Sequence, residues 1–177
     1  MTASAEIVES EPTRPIENCY TVVPGKLLAG EYPGAKERHV AITRIRAFLE
    51  AGVSVFIDLT TDADRLEPYS DLLESASCHR FPIRDYSTPD SPAQTIATLN
   101  AIDEHIRQGR LVYVHCRGGI GRTGLIVGCW LARHGESGPA ALGRLRELWK
   151  ENPKSAYCDS PETREQERYI MQWDEGA

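Results

Sequence analysis

Residues 111–124 read LVYVHCRGGIGRTG, and this stretch is the most informative about the fold. Its first five residues are mostly apolar, as expected for a strand that is buried on both faces. Glycines are concentrated near the middle of the stretch. After them, apolar residues recur at helical spacing to about residue 134. A buried strand, a glycine-rich turn and a helix in immediate succession predict an α/β fold.

Segments before and after this stretch repeat the alternation of strands and helices. Ser91, Pro92 and Gln94 are residues that favour a helix start, and Gly109 favours its end. The apolar run Val53–Leu59 predicts a second buried strand, so that strand, helix and strand form a parallel crossover. Further strands are predicted at Cys19–Val23, Lys26–Ala29 and Cys78–Ile83, and further helices at residues 36–51, 139–150 and 161–173.

These elements predict one α/β domain with a mostly parallel central sheet flanked by helices. The domain is expected to span residues 16–177. Residues 1–15 are polar, contain two prolines and lack periodicity, which predicts a flexible tail. They also lack the basic and apolar regions of a signal peptide, which favours a cytoplasmic protein.

The composition of the 177 residues is that of an ordinary globular protein. Apolar residues make up 41% of the chain and charged residues 26%, and no apolar run approaches the roughly 20 residues of a membrane span. The formal net charge of −6 disfavours general attraction to nucleic acid or to an anionic membrane surface. Nucleic-acid partners and a membrane span are therefore not expected.

The five cysteines do not form a pattern typical of a disulfide scaffold or a metal site. They are odd in number and include no C-x-x-C pair, and no Cys and His residues cluster at zinc spacing. Neither a metal nor another cofactor is therefore expected. Four of the cysteines are interpreted as small buried apolar residues, and Cys116 is the exception.

The loop after the strand has the composition of an anion site. Gly118, Gly119 and Gly121 let the backbone bend so that successive N–H groups, including those of Arg117 and Ile120, converge on one point. The positive end of the helix that follows adds to the attraction. The loop is therefore predicted to bind a dianion such as phosphate.

Side chains at the two ends of this loop indicate nucleophilic chemistry. Cys116 lies at the base of the loop, where the same amides and the helix dipole favour the reactive thiolate. Arg122 can bind two phosphate oxygens in a bidentate pair that Lys cannot reproduce. Thr123 can donate its hydroxyl to the sulfur, and His115 is interpreted as an orienting residue that forms hydrogen bonds.

The motif His115-Cys116-x5-Arg122-Thr123-Gly124 resembles the active-site signature of the cysteine-dependent protein tyrosine and dual-specificity phosphatases. The chain looks most similar to the kinase-associated, dual-specificity-like members. The resemblance implies a dual-specificity-phosphatase-like fold, a monomer, and metal-independent hydrolysis of phosphomonoesters through a phosphocysteine intermediate. The implied substrates are phosphotyrosine proteins, extended to phosphoserine and phosphothreonine proteins. Residues 117–122 would bind the phosphate.

The reaction also needs an acid that protonates the departing oxygen. Residues 81–92, FPIRDYSTPDSP, resemble the mobile acid loop of the same family, in which an Asp precedes a Pro by four residues. Asp85 with Pro89 matches this pattern, and the resemblance implies that Asp85 is the acid. Asp90 is a second candidate, although an acidic residue at a helix entrance also has a structural explanation.

A third segment, residues 162–166, reads ETREQ and is similar to the Gln-Thr-x-x-Gln segment that positions the hydrolytic water in part of the family. Gln166 matches the second Gln, but Glu162 stands where the first is found. Two interpretations of Glu162 stay open. It orients the water differently from Gln, or it complements the positive end of the following helix.

Two other functions remain open from the sequence. The same loop serves phosphatases of phosphoinositides, inositol phosphates and RNA phosphates, and Arg84 and Arg117 could contact additional phosphates. The lipid branch of the family, however, carries Lys where this loop has Ile120. A phosphate-binding domain without catalysis is the second alternative, although Cys116, Arg122 and a suitable acid are all present.

Overall fold

The computed structural model describes residues 14–176. Within this range the chain forms five strands and five α-helices that alternate much as the sequence pattern predicts. Their order is β1 (Cys19–Val23), β2 (Leu27–Gly30), α1 (Arg38–Glu50), β3 (Val53–Asp58), β4 (Ser77–Arg80), α2 (Pro92–Arg107), β5 (Leu111–His115), α3 (Gly121–Arg133), α4 (Gly138–Trp149) and α5 (Arg164–Met171). Short 3-10 turns occupy Asp62–Asp64, Ser70–Leu72 and Pro153–Ala156.

The strands form one sheet in the order β1-β2-β5-β3-β4. β1 and β2 form an antiparallel hairpin, and every other neighbouring pair is parallel. Because β2, β5, β3 and β4 run in the same direction, their carboxyl ends meet at one edge of the sheet, together with the loops that follow them. The predicted α/β domain with a mostly parallel, helix-flanked sheet is confirmed.

Helices cover both faces of the sheet, so the central strands are buried on both sides. Along β5, Val112 and Val114 pack into the core formed with α2, α3 and α4, whereas Tyr113 packs with Phe48 and Phe56 on the face of α1. Helix α3 lies within the helical layer and is buried along nearly its whole length. The loop between β5 and α3 is therefore anchored at both ends in the core.

Helix α5 begins later than the sequence predicts. The pattern predicts a helix over 161–173, but the helix begins at Arg164. Thr163 is the N-cap residue. Its hydroxyl accepts a hydrogen bond from the Gln166 N–H, and the Gln166 side chain accepts one from the Thr163 N–H. This reciprocal capping box determines where the helix starts.

Most of the predicted tail, residues 1–13, lies outside the described residues. Arg14 belongs to the predicted tail and donates hydrogen bonds to the carbonyls of Glu17 and Glu151. Within residues 14–176, no helix has the length and apolar character needed to cross a membrane.

Candidate active site

The glycine-rich loop lies between β5 and α3 at the carboxyl edge of the sheet. At Gly119 the backbone φ is 73°, and a Cβ atom there would lie 2.3 Å from the carbonyl carbon of Gly30. Gly119 is therefore needed both for its left-handed conformation and for close contact with β2. The Tyr32 N–H donates to the Arg117 carbonyl at 3.0 Å, so the segment after β2 supports the loop.

Cys116 is buried at the base of this loop, with 3% of its surface exposed. The Gly119 N–H donates to its Sγ atom at 3.3 Å. The predicted hydrogen bond from Thr123 to the sulfur is not formed. Thr123 Oγ1 is buried and has no hydrogen-bond partner in the described part of the chain. A backbone N–H, rather than the Thr123 hydroxyl, faces the sulfur.

The guanidinium of Arg122 is buried and surrounded by three acceptors. Asp64 binds it in a bidentate pair, with Nη1 to Oδ2 at 2.9 Å and Nη2 to Oδ1 at 2.7 Å. Nη1 also donates to the Ile83 carbonyl at 3.1 Å, and Nη2 lies 3.0 Å from Oδ1 of Asp85. Nε has no partner among residues 14–176. Within this part of the chain, Nε is therefore the guanidinium nitrogen whose N–H is left to bind a phosphate oxygen, and it is buried.

Asp64 is the residue of this site that sequence reasoning missed. It lies in the 3-10 turn after β3, where the N–H and hydroxyl of Thr61 also donate to its carboxylate. Burial raises the pKa of Asp64, but the hydrogen bonds from Arg122 and Thr61 outweigh it and lower the pKa to about 2. The Thr-x-x-Asp pattern is visible in the sequence, yet it indicates only a capped turn.

The two candidate acids occupy different positions. Asp85 lies 3.0 Å from Arg122 and lines the cavity at Cys116. Asp90 is exposed at the start of α2, where its nearest basic group is Arg84 at 3.9 Å. The fold brings Asp85, and not Asp90, to the cavity that Cys116 lines.

Glu162 reaches the loop from the segment that precedes α5. It lines the cavity, and a Cβ atom added at Gly121 would lie 3.0 Å from its Oε2 atom. Burial raises the pKa of Glu162, and the charge of Asp85 raises it further. The helix cap is supplied by Thr163, so the Glu162 carboxylate is not the capping group.

Gln166 is fully buried, and both ends of its amide are engaged. Oε1 accepts hydrogen bonds from the N–H groups of Glu162 and Thr163, and Nε2 donates to the Ser87 carbonyl at 3.1 Å. The side chain connects α5 to the acid loop, residues 81–92. Gln166 therefore supports the site and does not line the cavity.

His115 is buried behind the loop and has partners on both sides of its ring. Nε2 lies 2.6 Å from the Tyr69 hydroxyl, and Nδ1 lies 3.3 Å from the Cys116 carbonyl and 3.9 Å from the Asp58 carboxylate. Because both groups near Nδ1 are acceptors, the ring proton belongs on Nδ1, and the Tyr69 hydroxyl donates to Nε2. Burial lowers the pKa of His115 to about 4, so the ring is neutral at physiological pH.

The cavity at Cys116 has a volume of about 210 Å³. It is formed by the acid loop, the glycine-rich loop and the segment before α5. Its lining residues are Asp85, Tyr86, Cys116, Arg117, Gly118, Ile120, Gly121 and Glu162. Among the described residues, no group of three or more His, Cys, Asp or Glu side chains is placed to hold a metal ion.

Comparison with known proteins bears on the family and the fold of this chain. The model of the family described as "PTP-SAK: Swiss Army Knife protein, DSP-PTPase phosphatase domain" matches residues 16–170. The structure of kinase-associated phosphatase with its catalytic cysteine replaced by serine has a TM-score of 0.71 at 21% identity, covering 86% of this chain and 90% of that chain. PTPMT1 in complex with PI(5)P has a TM-score of 0.67 at 16% identity, covering 87% of this chain and 92% of that chain. At these identities the likeness is one of fold.

A sequence relative is protein 067L of Invertebrate iridescent virus 3, whose name places it among tyrosine phosphatases. The two chains are 31% identical over 114 residues, which cover 62% of this chain and 44% of the viral protein. This chain spans about half the length of the curated relatives it matches. Since the family model covers nearly the whole domain, the predicted resemblance to protein tyrosine and dual-specificity phosphatases is confirmed, and the chain belongs to the PTP-SAK family of DSP-PTPase phosphatase domains.

Proposed function

We propose that this phosphatase domain hydrolyses phosphotyrosine in proteins, with phosphoserine and phosphothreonine as further substrates, through a phosphocysteine on Cys116. The observation that carries the proposal is that Cys116 and Asp85 line one small cavity and that Asp85 lies 3.0 Å from the buried guanidinium of Arg122. A nucleophile, an acid and an anion-binding guanidinium are the groups that phosphomonoester hydrolysis needs when no metal takes part.

In the first step the Cys116 thiolate attacks phosphorus. A sulfur–phosphorus bond forms, and the bond between phosphorus and the leaving oxygen breaks. Arg122 and the loop N–H groups, including that of Gly119, bind the phosphoryl oxygens and stabilise their charge in the transition state. Protonated Asp85 gives its proton to the leaving oxygen, so the products are the phosphocysteine and a neutral phenol or alcohol.

In the second step a water molecule attacks the phosphocysteine. The sulfur–phosphorus bond breaks, inorganic phosphate forms, and Cys116 leaves as the thiolate. Asp85, now ionised, accepts a proton from the water. Glu162 faces the same cavity and is not the helix cap, which supports a role in orienting this water by a hydrogen bond.

The position of Tyr86 favours a substrate with an aromatic ring. It follows Asp85 directly, lines the cavity and is 62% exposed. Its backbone φ is 57°, a conformation that is uncommon for residues with a Cβ atom and that concentrates at functional sites. An aromatic ring held beside the nucleophile can stack on the ring of phosphotyrosine.

The alternative function is that of a phosphoinositide phosphatase, and the position of Arg117 favours it. Arg117 is exposed and lines the same cavity, where its guanidinium can bind a second phosphate. The PI(5)P complex of the structural neighbour PTPMT1 is consistent with this alternative. Ile120 argues against it, because an apolar side chain lies where a further cation would help to bind several phosphates.

Turnover of an aryl phosphate in the presence of EDTA tests the mechanism. Wild-type protein is expected to stay active with the chelator, and Cys116→Ser is expected to lose about 1000-fold or more in kcat, because serine supplies no thiolate. The variant should still bind phosphate. Wild-type rates in a folded Cys116→Ser protein would overturn the mechanism.

A substrate panel separates the two substrate classes. Phosphotyrosine peptides are expected to give a higher kcat/KM than phosphoserine peptides or phosphoinositide vesicles. Tyr86→Ala should lower kcat/KM for phosphotyrosine peptides more than for phosphoserine peptides, because only the former lose a ring contact. A preference for phosphoinositides that Arg117→Ala abolishes would instead establish the alternative.

A further inference from the structure

A lysine from a distant segment binds the outer side of the phosphate-binding loop. Lys154, in the 3-10 turn between α4 and α5, donates from Nζ to the Gly118 carbonyl and to Oε2 of Glu31, both at 2.8 Å. Only 15% of the Lys154 side chain and 18% of the Glu31 side chain are exposed. Salt screens such a pair less than it screens a pair at the surface.

The peptide unit that Lys154 binds also carries the N–H that faces the nucleophile. In a planar trans peptide the C=O and N–H groups point in opposite directions. The Gly118 carbonyl points outward to Lys154, and the Gly119 N–H points inward to Cys116 Sγ at 3.3 Å. Reversal of this peptide would remove the N–H from the sulfur and present a carbonyl oxygen to the phosphate.

The residues of this peptide do little to prevent such a reversal. Gly118 and Gly119 flank it, and neither has the Cβ atom that restricts φ and ψ in other residues. Its orientation therefore depends on contacts with other segments. A hydrogen bond from a charged donor to the carbonyl is among the stronger contacts available in proteins.

Both ends of the Lys154–Glu31 pair are fixed to the fold. Glu31 accepts hydrogen bonds from Asn18 Nδ2 at 3.1 Å and from Arg44 Nη2 at 3.0 Å. The Lys154 backbone N–H donates to the Asn152 side chain at 3.0 Å. The ammonium is thus held between the hairpin side of the sheet and the segment before α5.

We propose that Lys154 is a positioning residue of the phosphatase reaction. With Glu31 as its counter-ion, it holds the Gly118–Gly119 peptide so that the Gly119 N–H is presented to the Cys116 thiolate and to the transferring phosphoryl group. Lys154 does not line the cavity and acts through the loop. This proposal depends on the proposed function, because it takes Cys116 as the nucleophile.

Lys154→Met tests this proposal, with Lys150→Met as the matched control, because Lys150 pairs with Glu147 at the surface. Two quantities are measured: the pH profile of Cys116 alkylation by iodoacetamide, followed on its peptide by mass spectrometry, and kcat/KM for an aryl phosphate. In Lys154→Met the alkylation profile should move to higher pH and kcat/KM should fall about tenfold, less than the loss of an oxyanion donor outright. Lys154→Arg, which keeps charged donors, should restore most of both.

A folded Lys154→Met protein that equals Lys150→Met in both quantities overturns the proposal. If Lys154→Met does not fold, Glu31→Gln replaces it; a smaller change in the same direction is expected, and no change contradicts the proposal. Alkylation needs no substrate. Absence of turnover in the wild type would therefore overturn the proposed function, while the alkylation profile would still decide the role of Lys154.

Discussion

At the scale of single residues, Arg122 has two partners. It binds Asp64 within the fold, and in the proposed reaction it binds the phosphoryl group. Nη1 and Nη2 of its guanidinium bind Asp64, whereas the buried Nε has no partner among residues 14–176. A guanidinium that is already held in place loses little freedom when substrate binds, which favours both binding and transition-state stabilisation. Asp64 is therefore a positioning residue for Arg122.

Asp64→Asn is expected to lower kcat/KM by about tenfold or more and to lower the free energy of unfolding by about 3 kcal/mol, because a buried guanidinium loses its ionic partner. Steady-state kinetics and urea unfolding measure the two effects. Asp62→Asn is the matched control, since Asp62 is exposed and pairs with Arg80. Equal behaviour of the two variants would show that Asp64 does not position Arg122.

At the scale of elements, the acid loop takes its shape from the helices beside it. Gln94 of α2 donates to the Pro82 carbonyl at 2.6 Å, and Gln166 of α5 donates to the Ser87 carbonyl at 3.1 Å. Between these two attachments lies Asp85. The loop is thereby held in the conformation that places Asp85 beside Arg122.

Asp85→Asn tests this placement with the leaving group as the probe. Protonation matters most when the departing oxygen is most basic. The variant should therefore slow the hydrolysis of phosphoserine most and that of a nitrophenyl ester least, and it should slow the hydrolysis of phosphotyrosine by about 100-fold. The alkaline side of the kcat/KM profile should also flatten. Asp90→Asn should leave both the profile and the leaving-group trend unchanged. If Asp90→Asn produced these effects instead, the acid would lie at the start of α2.

At the scale of the whole molecule, two groups at the site make the fold sensitive to acid. The pKa of His115 is lowered to about 4, so between pH 6.5 and 4 the unfolded chain binds a proton that the folded chain does not. The pKa of Asp64 is lowered to about 2, so its contribution is present above pH 3.8 and is lost as the pH falls towards 2. Both shifts make the folded state less stable as the pH falls.

The free energy of unfolding is expected to fall by about 2 kcal/mol between pH 7 and pH 5 because of His115. Urea unfolding at the two pH values measures this change. His115→Gln, which removes the titrating ring, should show a smaller difference between the two pH values. His39→Gln alters an exposed histidine of α1 and should keep the wild-type difference. A wild-type difference in His115→Gln would assign the acid sensitivity to other groups.

Much of the fold and part of the site could be predicted from local sequence patterns. Apolar runs predicted the central strands β3 and β5, and Ser91 with Pro92 predicted the start of α2. The glycine-rich loop with Cys116 and Arg122 was likewise recognisable from its spacing. These features depend on residues close together in the chain, where periodicity and capping operate. The start of α5 was misplaced because the capping box at Thr163 begins the helix at Arg164, later in the chain than the predicted residue 161.

Local sequence patterns were enough to predict the α/β class, the glycine-rich loop and the family, whereas the distant side chains that complete the site depend on the tertiary structure. β5 lies between β2 and β3, so the segments that follow those two strands flank the loop after β5. One of these segments supplies Glu31, the partner of Lys154, and the other supplies Asp64, the partner of Arg122. Asp64 and Arg122 are 58 residues apart, and no local pattern encodes which strands become neighbours.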